Sequence, residues 1–247
     1  MKSQYVLPIT IVVAGALIAG AVFLLGKGSV PTPGGDGTTG KTTARAYDPK
    51  IDHILGNPDA PVKVVEYADL ECPFCKTFET TMHQVMDFYG QSGKVAWVYR
   101  AFPLAQLHSK APQEATAAEC AAAQGGDTAF FKYIDQVYAV TPGSNGLDLA
   151  QLPVIAEQVG LDVAKFNQCL QSGVFAKKVQ DSYNEAIAAG GQGTPFVLIM
   201  VGNDAVQLQG AQPYDSMRAA IDAVLAQLPS DTNPSTSSGQ ATSTTTP

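Results

Sequence analysis

The run Glu66-Tyr67-Ala68-Asp69-Leu70-Glu71-Cys72-Pro73-Phe74-Cys75 passes from strand-like residues into two cysteines with two residues between them. Upstream, Val62-Lys63-Val64-Val65-Glu66-Tyr67 is rich in β-branched and aromatic side chains, as a strand requires. Downstream, Lys76 to Tyr89 carries Phe78, Met82, Val85, Met86 and Tyr89 at helical spacing and stops at Gly90. Pro73 suits the first turn of that helix, where its missing N–H leaves no bond unmade. Cys72 then falls at the helix cap and Cys75 one turn in, close enough for their sulfurs to bond. The outer sulfur faces solvent, unpaired backbone N–H groups and the positive end of the helix dipole, which favours thiolate over thiol. Cys72 is thus the expected attacking sulfur and Cys75 the resolving one.

Two other uses of such a pair stay open. A zinc site could use it as one half, but needs a second ligand pair at similar local spacing. Cys120 and Cys169 are far apart in the chain, and none of His53, His83 and His108 pairs at zinc-finger spacing. A purely structural disulfide is the other use, although a bond at a helix tip is open to exchange.

Gly56-Asn57-Pro58-Asp59-Ala60-Pro61, the strand with Glu66, Asp69 to Lys76 around the cysteines, and Gly193-Thr194-Pro195 late in the chain together resemble the DsbA-like branch of the thioredoxin superfamily. The similarity covers roughly Asp48 to Leu228. It implies an α/β, thioredoxin-like fold with a helical insertion and a redox-active Cys72–Cys75 pair. It also implies that Thr194-Pro195 is the cis-proline loop packed against that pair.

The 247 residues allow one domain of moderate size with appendages, and 45% apolar residues suffice for a core. A net charge of -7 argues against nucleic acid or an anionic surface as the main partner. Tyr5 to Leu25 contains no charged residue and is long enough to cross a bilayer as a helix. Ala19-Gly20-Ala21 offers a signal-peptidase pattern, but cutting there would leave the apolar terminus Val22-Phe23-Leu24-Leu25, so an uncleaved transmembrane anchor over residues 1–25 is expected. Residues 26–47 are dominated by Gly, Thr, Pro and Ser and predict a flexible linker. Residues 230–247, rich in Ser and Thr, predict a disordered tail.

The folded part is expected over residues 48–229. Lys94 to Arg100 is the next strand, apolar and aromatic enough to be central, and parallel to the first across a helix. His108 to Ala123 reads as a helix ending at Gly125-Gly126, followed by Ala129 to Val137, a turn at Thr141-Pro142-Gly143-Ser144-Asn145-Gly146, and helical runs Leu149–Val159, Asp162–Leu170 and Phe175–Ala189. This block, about 104–190, corresponds to the helical insertion of DsbA-like proteins. Phe196 to Val201 and Ala205 to Gln209 flank a short turn as a β-hairpin, and Tyr214 to Leu228 closes the chain as an amphipathic helix. Helices on both faces of a central sheet follow from this order.

The resemblance places an acid beneath the active pair at Glu66, where burial would raise its pKa and let it exchange a proton with Cys75. Strand alternation could instead turn Glu66 to solvent. Pro73, Phe74, Thr194 and Pro195 are the expected substrate-binding residues, with the Thr194 backbone bonding an extended segment. An even cysteine count in an oxidising compartment favours a Cys120–Cys169 disulfide, as some DsbA-like proteins carry, over two buried free thiols. His108 is expected to cap or decorate a helix rather than act in chemistry.

The expected activity is dithiol oxidation outside the cytoplasm, on reduced secreted or envelope proteins, with no cofactor and no metal. Recycling is expected from a membrane thiol oxidase of the DsbB or vitamin-K-epoxide-reductase-like type, with the anchor holding the domain on the extracytoplasmic side of the cell membrane. One departure from the family's strongest oxidants is Phe74, where they carry histidine. It leaves a disulfide isomerase or reductase as the alternative enzyme, and a chaperone-like binding module as the alternative class.

Overall fold

The computed structural model describes residues 39–41 and 44–229. The expected anchor at Tyr5–Leu25 and the tail 230–247 lie outside them. Among the described residues no helix is long and apolar enough to cross a membrane.

The strands are β1 (Thr39–Lys41), β2 (His53–Gly56), β3 (Val62–Ala68), β4 (Val95–Ala101), β5 (Phe196–Val201) and β6 (Asp204–Leu208). They form one sheet in the order β1-β6-β5-β3-β4-β2. β3 and β4 are parallel, with Val64 opposite Trp97 and Glu66 opposite Tyr99, while the other pairings are antiparallel. The parallel pair is joined through α1 (Pro73–Tyr89), the crossover that such a pair needs.

After β4 come α2 (Ala111–Val140), α3 (Gln151–Gln158), α4 (Val163–Ser172) and α5 (Ala176–Ala188), and α6 (Tyr214–Leu225) follows the hairpin. As expected, two helical segments meet at Gly125-Gly126: the span Ala111–Val140 is broken there by non-helical backbone, and Gly126 has φ 63°, which suits a residue without Cβ. The first insertion helix begins at Ala111 rather than at His108.

Each face of the sheet has its own core. Val64, Trp97, Tyr99, Val197 and Ile199 pack under α1, α6 and the α2 to α4 insertion, whereas Val65, Tyr67, Val98, Phe196 and Leu198 pack with Ala186 of α5 and with Ala44. Because both faces are covered, β3 is buried at every position but Lys63.

Two strands escaped the sequence reading. β2 is four residues ending in glycine and gains its place only by pairing with β4 as the edge beyond it. β1 lies inside the stretch expected to be linker and pairs with β6. The end of that stretch also belongs to the domain: Ala44 is buried and the Arg45 guanidinium pairs with Asp52 and Glu185. Composition cannot show this, because a Gly- and Thr-rich segment is ordered here by partners remote in sequence.

Candidate active site

The site begins with the helix cap. Cys72 occupies the N-cap of α1 in extended conformation (φ -79°, ψ 120°) with Pro73 at the first helical position. The Cys72 N–H donates to the Asp69 carbonyl at 3.0 Å, and the Cys72 carbonyl accepts from Lys76 N at 3.1 Å, which closes the first turn. Cys72 and Cys75 are free thiols here. Cys75 is wholly buried and Cys72 retains 5% exposure, less open than the solvent-facing position expected, because the Thr194-Pro195 loop lies across it. Phe74, at 67% exposure, is the residue that projects to solvent.

The two sulfurs differ in acidity. The Cys75 thiol beside it, the Thr194 side chain and the backbone N–H groups of Cys75 and Phe74 bring Cys72 down to about 6, against burial, which pushes it up. At pH 7 such a group is mostly thiolate. Burial, then the Cys72 sulfur and its charge, push Cys75 well above an ordinary thiol. A nucleophile and a protonated partner thus sit side by side.

Thr194-Pro195 is a cis peptide. Cys72 Sγ lies 3.4 Å from the Thr194 carbonyl oxygen, which accepts from the neutral thiol. The Thr194 hydroxyl is buried with no hydrogen-bond partner of its own, so it remains a donor for the ionised sulfur. Beside this loop a cavity of about 380 Å³ is lined by Gly193, Thr194, Pro195, Gln207 and Gln209.

Beneath the pair, Glu66 is fully buried. Its Oε2 accepts from Trp97 Nε1 at 3.0 Å, while Oε1 has no partner. Burial first, then the charges of Glu79 and Cys72, raise its pKa well above the carboxylate range, and the Trp97 bond opposes this only in part. The solvent-facing alternative fails because alternation exposes a strand's second face only when nothing covers it. Glu79 of α1 is buried too, and burial pushes it up to about 8.

Several residues that hold the site were not singled out in the sequence. Asp69 Oδ2 accepts from Leu104 N at 2.7 Å and lies 2.9 Å from His108 Nδ1, while Oδ1 accepts from Glu71 N at 2.8 Å. The Glu71 carboxylate accepts from Gly146 N and Leu147 N, so the acids before Cys72 tie the cap to the insertion. His108 therefore braces the loop instead of capping α2. Tyr99 and Tyr138 are buried with their hydroxyls 3.4 Å apart, and Tyr138 donates to the Asp69 carbonyl. Only the acidic flanks of the motif hinted at any of this. On other elements, Cys120 of α2 and Cys169 of α4 are joined in a disulfide.

The thioredoxin family model matches residues 49–223. Among solved structures, DsbA2 of Pseudomonas aeruginosa superposes with a TM-score of 0.60 at 28% identity, covering 72% of this chain and 96% of that one. α-DsbA1 of Wolbachia pipientis gives 0.62 at 25% identity, over 71% of this chain and 91% of that one. Oxidised BdbD of Bacillus subtilis gives 0.65 at 21% identity, over 78% and 100%, and shares the fold. Among curated proteins, the Na(+)/H(+) antiporter NhaA 1 of Mycobacterium sp. strain KMS is 37% identical over 140 residues, 57% of this chain and 21% of the antiporter. That of Mycolicibacterium gilvum is 31% identical over 157 residues, 63% and 24%. The chain thus spans about a fifth to a quarter of the length of these curated relatives.

Proposed function

Because the chain belongs to the thioredoxin family, we propose that it is an extracytoplasmic thiol:disulfide oxidoreductase that introduces disulfides into secreted or envelope proteins through Cys72 and Cys75. The likeness to DsbA structures supports thiol–disulfide exchange in general. The observation that carries the oxidising direction is the unequal acidity of the two sulfurs, Cys72 at about 6 and Cys75 well above the ordinary thiol. A stabilised thiolate stabilises the reduced enzyme, and so makes the disulfide form the better oxidant.

In the oxidised enzyme a substrate thiolate attacks Cys72 Sγ. The Cys72–Cys75 bond breaks, the substrate–Cys72 bond forms, and Cys75 leaves as a thiolate that takes its proton from the neutral Glu66 carboxyl. A second substrate thiolate then attacks the substrate sulfur of the mixed disulfide and releases Cys72, which leaves readily because its thiolate is stable. Two electrons have passed from substrate to enzyme. The substrate segment lies extended along Gly193-Thr194, beside the exposed ring of Phe74. A membrane thiol oxidase then removes the electrons, and residues 1–25 anchor the domain near that partner. The antiporter function named for the curated relatives is not carried over, since the match covers about a fifth to a quarter of those proteins.

Equilibration of the pair with glutathione buffers tests the direction. A pair that stays reduced at potentials where ordinary protein disulfides form is an oxidant; a pair that is oxidised as readily as a reductase's overturns the oxidase reading. Phe74 supports the second reading, a reductase or isomerase, because its side chain has no donor for the Cys72 thiolate.

A further inference from the structure

A second cluster lies between α1 and α2. Glu79 and His83, one turn apart, face Asp135 of α2. His83 Nε2 stands 2.9 Å from Asp135 Oδ1 and 3.5 Å from Glu79 Oε1. The three donor atoms lie within 4.8 Å of one another. Glu79 is nine-tenths buried, and neither of its carboxylate oxygens has a hydrogen-bond partner. Among the described residues no lysine or arginine pairs with Glu79 or Asp135.

His53 provides the contrast. It too lies between two acids, Glu119 and Asp127, each at 3.0 Å. There Lys178 Nζ reaches Glu119 at 2.5 Å, so a cation already fills the site. At Glu79 two carboxylates face a single imidazole, and the buried one has no hydrogen bond, only the long 3.5 Å contact with that ring.

We propose that Glu79, His83 and Asp135 bind a divalent transition-metal ion of the zinc type between α1 and α2. One imidazole with two carboxylates is a donor set for zinc or a first-row neighbour rather than for calcium or magnesium, which take oxygen ligands. Donors held at ~2.0–2.2 Å around tetrahedral zinc stand roughly 3.3–3.6 Å apart. The His83–Glu79 spacing of 3.5 Å falls in that range and the His83–Asp135 spacing of 2.9 Å is a few tenths of an ångström short, with Glu79 and Asp135 within 4.8 Å of each other, so rotamer adjustments can bring the three donors around one ion. His83 and Asp135 are each 40% exposed, which leaves an entry path and an open position for water. The spacing search on the sequence misses this set, because Asp135 lies 52 residues from His83.

Trp97, the one tryptophan of the chain, packs edge-on against the His83 ring at 5.6 Å and reports on the site. The experiment titrates cobalt(II) chloride into the full chain with Cys72–Cys75 oxidised, so that the thiols cannot bind metal. One equivalent should quench Trp97 fluorescence, and zinc(II) chloride should reverse the quench by displacement. Asp135→Asn, a half-exposed change that spares the core, and His83→Ala should each weaken binding at least tenfold, with the metal-free far-UV spectrum unchanged. No quench at millimolar cobalt, or the same affinity in both variants, overturns the proposal. So does binding seen only in the reduced protein, which assigns the metal to the cysteines. None of these outcomes bears on thiol exchange.

Discussion

Glu66 and Tyr67 are neighbours on β3, as Tyr99 and Arg100 are on β4, yet each pair straddles the sheet into opposite electrostatic regimes. On the α5 face, Arg100 donates to both oxygens of Asp52 at 2.9 and 3.0 Å, to Glu185 at 2.6 Å and to the Tyr67 hydroxyl at 2.8 Å. Arg45 adds a second cation to the same two acids. On the α1 face, among the described residues, Glu66 has only the neutral Trp97 donor, and Glu79 only the His83 imidazole at 3.5 Å. A buried charge surrounded by counter-charges stays charged and braces the fold. A buried carboxyl without a counter-charge keeps its proton, and that proton is available to chemistry.

The contrast breaks most completely at the sulfurs. Cys72→Ser should abolish dithiol oxidation, whereas Cys75→Ser should accumulate a mixed disulfide with substrate, seen as a mass shift under non-reducing conditions. Full activity in the double variant would move the chemistry elsewhere. Next in size is Arg100→Met, which leaves Arg45 as the single cation for Asp52 and Glu185 and should cost about 3 kcal/mol in denaturant melts, because a buried charge left short of its partner is expensive. The pH dependence of Cys72 alkylation should not move in that variant; a shift would show that the two faces are coupled.

The Cys120–Cys169 staple sharpens the contrast between sulfurs instead. Replacing both by alanine should cost about 2–4 kcal/mol, as expected when a long unfolded-state loop is released. The Cys72–Cys75 equilibrium with glutathione should stay the same, and a displaced equilibrium would tie the insertion to the redox pair.

The smallest effect in acid, where both side chains are neutral, belongs to Glu66→Gln, within about 1 kcal/mol, but its pH dependence separates the two faces. Glu66 has a raised pKa in the fold, so its contribution is complete below the ordinary carboxyl value and is lost as pH rises through the raised one. Asp52 runs the other way. Burial raises it, but hydrogen bonds from Arg45 and Arg100 prevail and lower it, so its contribution is present above the ordinary value and lost as pH falls through the depressed one. Glu66→Gln should therefore remove part of the alkaline loss of stability, leave the acid limb unchanged, and slow release of Cys75 in exchange assays. An unchanged alkaline limb and unchanged exchange would take Glu66 out of the mechanism.

Much of the site was legible because its parts are local. A strand, two cysteines around Pro73 and a helical rhythm from Phe78 to Tyr89 place Cys72 at a cap whatever packs around it. The Gly125-Gly126 break and the hairpin at Gly202-Asn203 were legible for the same reason, since backbone freedom at glycine is a property of the residue. His53–Gly56 and Thr39–Lys41 were not, since short edge strands carry too few residues for a period to show.

The amino-acid order by itself determined which sulfur caps a helix, because capping bonds and the helix dipole act within about one turn of chain. Tertiary structure decided that Glu66 meets Trp97 across 31 residues and that Glu185 of α5 closes on Arg100 across 85. The ionisation of a buried group depends on which elements exclude water from it and which donors they bring. Those elements come from distant parts of the chain, and only the folded packing brings them together.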